Sequence, residues 1–290
     1  MPPTPVASRL LIVAAAMLFS TGGVAIKGCA LSSWQIASFR CGVAAIAMGI
    51  LVPHARRMWS HRTLLVGGCY AATLTLYVLA NKATTAANAV FLQSTAPLYV
   101  LLLAPWLLGE RRRQRDFWWM AGMTSGMLLF FVGQEATSAT APDPSRGDLY
   151  AAASGLSWAL TVMGLRWIGN SGEDQSSAAA AVVAGNGLAF LICLPMALPV
   201  SSVTMGDWAI VGYLGVFQIA VAYVLLTRAI SHVSAFEASL LLLIEPILNP
   251  AWAWLFHHEV PSVWSLAGGL TVLGVATLEA WSNRVESSRK

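Results

Sequence analysis

The sequence predicts an all-α integral membrane protein with ten transmembrane helices in two five-helix repeats of inverted topology. Three observations predict it. Of 290 residues, 57% are hydrophobic and 10% charged, with a mean hydropathy of +0.66, whereas a soluble domain carries roughly 25% charged residues. Apolar runs of about 20 residues recur along the chain, and in lipid only helices or closed barrels satisfy every backbone group. Third, TAANAVFLQSTAPLYVLLLAPWLLGE from Thr85 to Glu110 is echoed by SAFEASLLLLIEPILNPAWAWLFHHE from Ser234 to Glu259. Pro97 aligns with Pro246 and Glu110 with Glu259, since 246 − 97 and 259 − 110 both give 149.

The first segment, 10 to 27, follows the polar MPPTPVASRL and holds Phe19 and Ser20; no small-residue cleavage site follows it, so it reads as a span and not as a removed signal peptide. The second, 33 to 53, carries Arg40 inside its apolar run, and the third, 64 to 81, carries Tyr77. Gln93, Pro97 and Tyr99 lie in the fourth, 84 to 108, and Gly122 and Gly126 form a GxxxG in the fifth, 117 to 134. Small residues there allow close helix approach, within the monomer or between copies. The polar connection EATSATAPDPSR, Glu135 to Arg146, then divides the chain into repeats at 9–135 and 146–283. Ser157 and Trp158 fall in the sixth segment, 148 to 168; the seventh runs from 177 to 199, and the eighth, 208 to 230, holds Tyr223. Glu245 and Pro246 sit at the centre of the ninth, 234 to 257, and Gly268, Gly269 and Gly274 enrich the tenth, 262 to 281.

Positive charge orients these spans, because cytoplasmic loops carry the excess of Lys and Arg. With both termini cytoplasmic, thirteen of the 17 cations fall on the inner side, including Arg56, Arg57, Arg111, Arg112, Arg113, Arg289 and Lys290; Lys27, Lys82 and Arg146 fall on the outer side. Charges confined to short loops exclude a nucleic-acid surface despite a pI near 9.0. Cys29, Cys41, Cys69 and Cys193 lack the spacing of a disulfide framework or zinc site. Further echoes support duplication: Ala14-Ala15-Ala16 with Ser20 returns as Ala151-Ala152-Ala153 with Ser157, and Tyr77-Val78-Leu79 as Tyr223-Val224-Leu225. An odd number of spans per half makes the repeats inverted, and such repeats place substrate near mid-membrane, where broken helices meet.

Ala96 to Glu110 (APLYVLLLAPWLLGE), Ala222 to Leu240 (AYVLLTRAISHVSAFEASL) and Glu237 to Glu259 resemble the EamA-type branch of the drug/metabolite transporter superfamily, over nearly the whole chain. Phe19-Ser20-Thr21-Gly22 stands where the family often has Trp-Gly or Trp-Ser, Ser157-Trp158 keeps the aromatic, and ASFR at Ala37 to Arg40 resembles the family's second-helix arginine. The resemblance implies a bacterial inner-membrane exporter of small metabolites, amino acids foremost, with aromatic or bulky apolar ones favoured; drugs, nucleosides and sugar derivatives are the alternatives within the fold. It also implies a central cavity built mainly from helices one, three, four, six, eight and nine.

The candidate substrate-binding residues are Phe19, Ser20, Tyr77, Gln93, Tyr99, Ser157, Trp158, Tyr223 and Glu245, with Pro97 and Pro246 as hinges. A mid-membrane carboxylate costs about 2.5–3.5 kcal/mol on insertion scales, so Glu245 either carries a proton or braces the Pro246 kink. Each proline frees a carbonyl four residues earlier, at Gln93 and Leu242, which can receive a substrate ammonium; a static kink is the plainer alternative. Buried Tyr and Trp bring polar atoms that want partners, although rings also fill bundle cores. Arg40 can meet a substrate carboxylate, snorkel to the outer interface, or pair with a neighbouring acid.

His257-His258-Glu259 lacks the HExxH spacing, so no metal is expected, and Glu110 and Glu259 are expected to end their helices and pair with loop charges. No GxxxxGK[ST] loop is present, so no cofactor or direct ATP use is expected. A membrane-embedded lipid-modifying enzyme is the alternative of another class; it needs a catalytic constellation near one face, whereas His54, His61, His232, His257 and His258 are scattered. The expected partners are the small-molecule substrate and the lipid bilayer, with the chain a monomer and not an enzyme.

Overall fold

The computed structural model describes residues 5–56, 60–109, 114–132, 137–170, 175–200, 203–229, 232–233 and 235–287. Arg57, Glu110, Arg111, Arg112, Arg113, Glu135, Ser234, Arg289 and Lys290 lie outside them, so expectations for those residues are not addressed. Every regular element among the described residues is helical: α1 (Pro5–Ser20), α2 (Gly22–Gly28), α3 (Ser33–Leu51), α4 (His61–Ala83), α5 (Ala86–Gln93), α6 (Ala96–Leu107), α7 (Gln114–Val132), α8 (Pro144–Asn170), α9 (Gln175–Ala197), α10 (Met205–Tyr213), α11 (Ala222–Ala229), α12 (Ala235–Leu242), α13 (Ile244–His257) and α14 (Val263–Ser287). Leu214–Val221 joins α10 to α11 as a π-helix, and Pro53–Arg56 is a short 3₁₀ turn. The protein is a multi-pass membrane protein, with eight helical stretches among the described residues long and apolar enough to cross a bilayer. α7 and α8 are helices of 19 and 27 residues outside that set; polar residues at their ends, such as Arg115, Asp116, Arg146, Asp148 and Arg166, dilute their apolar content.

Local sequence sets the helix starts. Ser32 accepts from the Gln35 amide at 3.2 Å while Gln35 Oε1 accepts from the Ser32 amide at 3.0 Å, satisfying two free donors of α3 at once. Thr204 and Asp207 build the same capping box on α10, and Thr85 caps α5 through the Asn88 amide. Three spans are broken in two, the fourth and ninth at the prolines where the sequence places a break and the first, expected to be continuous, as well. The fourth segment divides between α5 and α6, the ninth between α12 and α13, and the first between α1 and α2 at Thr21.

Helices of the two halves pack in matched pairs. α4 lies along α8 and α1 along α11; α4 also packs on α9, as α3 does on the π stretch; α5 and α6 contact α8, as α12 and α13 contact α1. α3 meets α9, and α7 meets α14. Glycines make that last contact possible: a side chain at Gly126 would strike Val272 at 2.9 Å and the Gly268 carbonyl at 3.1 Å, and one at Gly122 would strike Val275 at 2.9 Å. The GxxxG thus serves packing within the chain.

Candidate substrate cavity

The prolines do not kink running helices; they begin new ones. Pro97 is the second residue of α6 and Pro246 the third of α13, within the first turn, where a backbone N–H has no intrahelical acceptor to lose. The break also changes the standing of Glu245. Instead of lying mid-helix it occupies the first turn of α13, half-buried, where the positive end of the helix dipole favours a carboxylate. The Gln93 carbonyl, expected to receive a substrate ammonium, lies close to α8. A side chain at Gly155 of α8 would meet the Leu92 and Gln93 carbonyl oxygens at 3.0 and 3.1 Å, so α8 covers them.

Where the two broken spans approach, a cavity of about 240 Å³ opens in the bundle. Phe19 of α1, Tyr77 of α4, Gln93 of α5, Trp158 of α8, Tyr223 of α11 and Glu245 of α13 line it, six of the nine residues proposed from sequence. Four aromatics form one continuous wall. Phe19 meets Tyr223 edge-on at 5.3 Å between centroids, Tyr223 meets Tyr70 edge-on at 5.6 Å, and Tyr70 lies 6.4 Å from Trp158. Such offset and edge-to-face pairs suit the ring quadrupoles and leave a firm apolar surface. The Tyr77 hydroxyl accepts from Asn249 Nδ2 at 3.0 Å, which leaves its own proton free to donate. Gln93 Nε2 donates to Ser154 Oγ at 2.8 Å, and that hydroxyl donates to the Thr73 carbonyl at 3.1 Å, tying α5 to α8 and α4.

Three proposed residues lie elsewhere. Ser20, fully buried, donates to the Met17 carbonyl at 2.7 Å and accepts from Trp252 Nε1 at 3.0 Å, so its hydroxyl is spent on the end of α1. Tyr99 packs with Ala159 and Met163 and points its hydroxyl at Met127 Sδ, 3.8 Å away. Ser157 stands beside Trp158 but off the cavity wall. The lining is completed by Arg40 of α3, for which meeting a substrate carboxylate is one of three expectations, and by residues not proposed from sequence: Tyr70, Thr73 and Leu74 of α4, Gln218 and Ile219 of the π stretch, Leu226 and Leu242. A signal existed for some of them. Tyr70, Thr73 and Tyr77 follow the i, i+3, i+7 spacing of one helix face, and Gln218 is a polar residue at the middle of the eighth segment, whose Thr227 and Arg228 come only near its end.

Toward the end of the bundle that carries Lys27, Lys82 and Arg146, the chain is closed by buried charges. Lys27 Nζ pairs with Glu259 Oε1 at 2.8 Å, both side chains being almost wholly buried, and also donates to the Thr84 and Thr140 carbonyls at 2.8 and 2.6 Å. Glu259 Oε2 accepts from the Ala86 amide at 2.8 Å, at the positive N-terminus of α5. Asp148 receives Thr84 Oγ1 at 2.7 Å and Asn88 Nδ2 at 3.0 Å, Asp207 receives the Ala30 amide at 2.7 Å, and Lys82 donates to the Cys29 carbonyl at 2.6 Å. His257 bonds the Val24 carbonyl at 2.9 Å, so two members of the His-His-Glu run already have protein partners.

Known chains are similar to this one in sequence or in fold. The model of the EamA-like transporter family matches twice, over residues 7–132 and 145–278. The pseudopaline exporter CntI from two strains of Pseudomonas aeruginosa is 28% identical over 271 and 273 residues, covering 91% of this chain and 92% of the exporter. A crystal structure at 21% identity has the same fold, with a TM-score of 0.60 over 94% of this chain and 98% of its own. With both halves matched, the chain belongs to the EamA-like transporter family.

Proposed function

We propose that the protein exports small metabolites, foremost amino acids with aromatic or bulky apolar side chains, across the bacterial inner membrane by alternating access. The observation that carries this reading is the mid-bundle cavity at the two helix breaks, with a carboxylate, Glu245, at one break and an aromatic wall of Phe19, Tyr223, Tyr70 and Trp158. Its volume, about 240 Å³, lies below the roughly 300–1,000 Å³ of pockets for drug-sized ligands, which favours single small metabolites. The transporting unit consists of ten spans in two inverted halves, 9–135 and 146–283, with α7 and α8 also crossing. The matched helix pairs support that symmetry, because exchanging first with sixth, third with eighth and fourth with ninth spans exchanges the contacts as well.

Both termini are cytoplasmic in this reading, which makes the Lys27–Glu259 end the outer one. Glu245, Tyr77 and Gln93 supply polar contacts, and Pro97 and Pro246 mark the hinges. A second substrate reading comes from the relatives named as pseudopaline exporters, so pseudopaline belongs in the test panel. Counterflow of labelled metabolites in proteoliposomes containing only this protein tests the proposal. Exchange of phenylalanine, tryptophan or leucine supports it, and exchange of pseudopaline alone replaces the substrate class. Absence of any exchange across the panel, with release of a modified lipid instead, would favour the embedded-enzyme alternative.

A further inference from the structure

Arg40 does not snorkel. It is the eighth residue of α3, only 1% exposed; it lines the cavity and donates through Nη2 to the Leu74 carbonyl at 2.9 Å. A guanidinium offers five N–H donors and stays charged at every physiological pH. Here Nε has no hydrogen-bond partner, and among the described residues no carboxylate stands within ion-pairing distance of Arg40. Glu245 faces the same cavity without closing on it. A buried cation that lacks its counter-charge is costly, and the cost is relieved when an anion arrives with the right geometry. A planar carboxylate accepts the parallel N–H pair of a guanidinium in bidentate fashion.

We propose that Arg40 is the carboxylate anchor of the transported molecule, so that the substrate is a carboxylic acid whose apolar body lies along the Tyr70–Tyr223 aromatic wall. The inference rests on the reading of this cavity as a substrate site and adds a selectivity to it: a free carboxylate is required at one end. Arg40 would then determine which amino-acid derivatives move, since an amide or ester of the same side chain leaves the guanidinium desolvated and unpaired.

Counterflow in proteoliposomes of the full chain, run with L-phenylalanine, L-phenylalaninamide and the methyl ester as separate labelled substrates, provides the test. Wild type should prefer the acid by about 10- to 100-fold, the range of a charge-assisted hydrogen-bonded pair. Arg40→Gln should move acid and amide within about twofold of each other, and Arg40→Lys, which keeps a charge without the fork, should fall between. Arg40→Lys and wild type carry the test if Arg40→Gln does not fold. Equal transport of acid and amide by wild type overturns the proposal, as does a full acid preference surviving in Arg40→Gln, because an arginine that only braces α3 against α4 lowers both fluxes and leaves their ratio alone. Failure of every amino acid to exchange removes the substrate class and this anchor with it; exchange without acid preference removes the anchor alone.

Discussion

The breaks before Pro97 and before Pro246 occupy equivalent places in the two halves but are finished in opposite ways. At the first, Ser94 Oγ donates to the Val90 carbonyl at 2.8 Å, Thr95 Oγ1 to the Leu92 carbonyl at 2.6 Å, and Gln93 reaches Ser154. Gly155 then lets α8 close over the Leu92 and Gln93 carbonyls. At the second, the equivalent residues are Leu243 and Ile244, which have no hydroxyl to offer, and Glu245 stands where the first half has Ala96. Leu242 and Glu245 both face the cavity. One copy of the break is fastened to its neighbours, and the other presents an acid to a cavity. Divergence after duplication has kept the geometry in both and left the chemistry in one.

The largest effect is expected where the two broken spans are joined. Glu259, just past α13, holds both Lys27 and the first amide of α5. Lys27→Ala or Glu259→Ala leaves the partner charge buried alone and should cost about 3–5 kcal/mol, read as a lower unfolding midpoint in detergent. Exchanging the charges, Lys27→Glu with Glu259→Lys, should recover only part of it, because a lysine at 259 would face the N-terminus of α5. A loss below about 1 kcal/mol would mean that the pair is no more than a surface bridge in strength and does not hold the breaks in register.

Next in size, Glu245→Gln should lower flux roughly tenfold, the order expected for losing one hydrogen bond to a charged group, and should flatten the dependence of flux on pH if Glu245 carries the proton. Ala96→Glu added to that variant should not restore flux, since the first break does not present this position to the same groups. Rescue by Ala96→Glu would make the two breaks interchangeable and dissolve the contrast. Gln93→Leu tests the fastening itself. Losing the donor to Ser154 should cost about 1 kcal/mol of stability and lower flux by about fivefold, because Gln93 also lines the cavity, measured by unfolding and counterflow on the same preparation.

Much of this arrangement was legible in the sequence because proline and duplication leave marks that need no tertiary knowledge. Pro97 and Pro246 located both breaks, and the echo of Tyr77 in Tyr223 singled out two cavity residues. The break of the first span carries no proline. It is made by Ser20 and Thr21 hydroxyls bonded back to the Met17 and Leu18 carbonyls at 2.7 Å, ahead of Gly22 and Gly23, a weaker signal in an apolar run. Arg40 was ambiguous for a different reason. A boundary uncertain by a few residues is a helical turn, enough to exchange interface for cavity, and a sequence does not say which face of α3 meets α4. The pairing of Lys27 with Glu259 joins opposite ends of the chain and follows from no local pattern.

The smallest expected effect bears most directly on why the breaks differ. If hydroxyls bonded back to carbonyls are what fasten the first break, then Leu243→Ser, copying Ser94 into the second half, should place a hydroxyl that can donate to the Ser239 carbonyl, as Ser94 Oγ donates to the Val90 carbonyl. One such added hydrogen bond should gain about 0.5–1 kcal/mol. That added stability belongs to one conformation of the hinge, so opening should be slower and counterflow should fall about twofold. The converse change, Ser94→Ala, removes the bond to the Val90 carbonyl from a break already held by Gln93 and Gly155, and flux should stay within experimental scatter. Equal responses at 94 and 243 would show that fastening is not what separates the halves, leaving Glu245 alone to account for the difference.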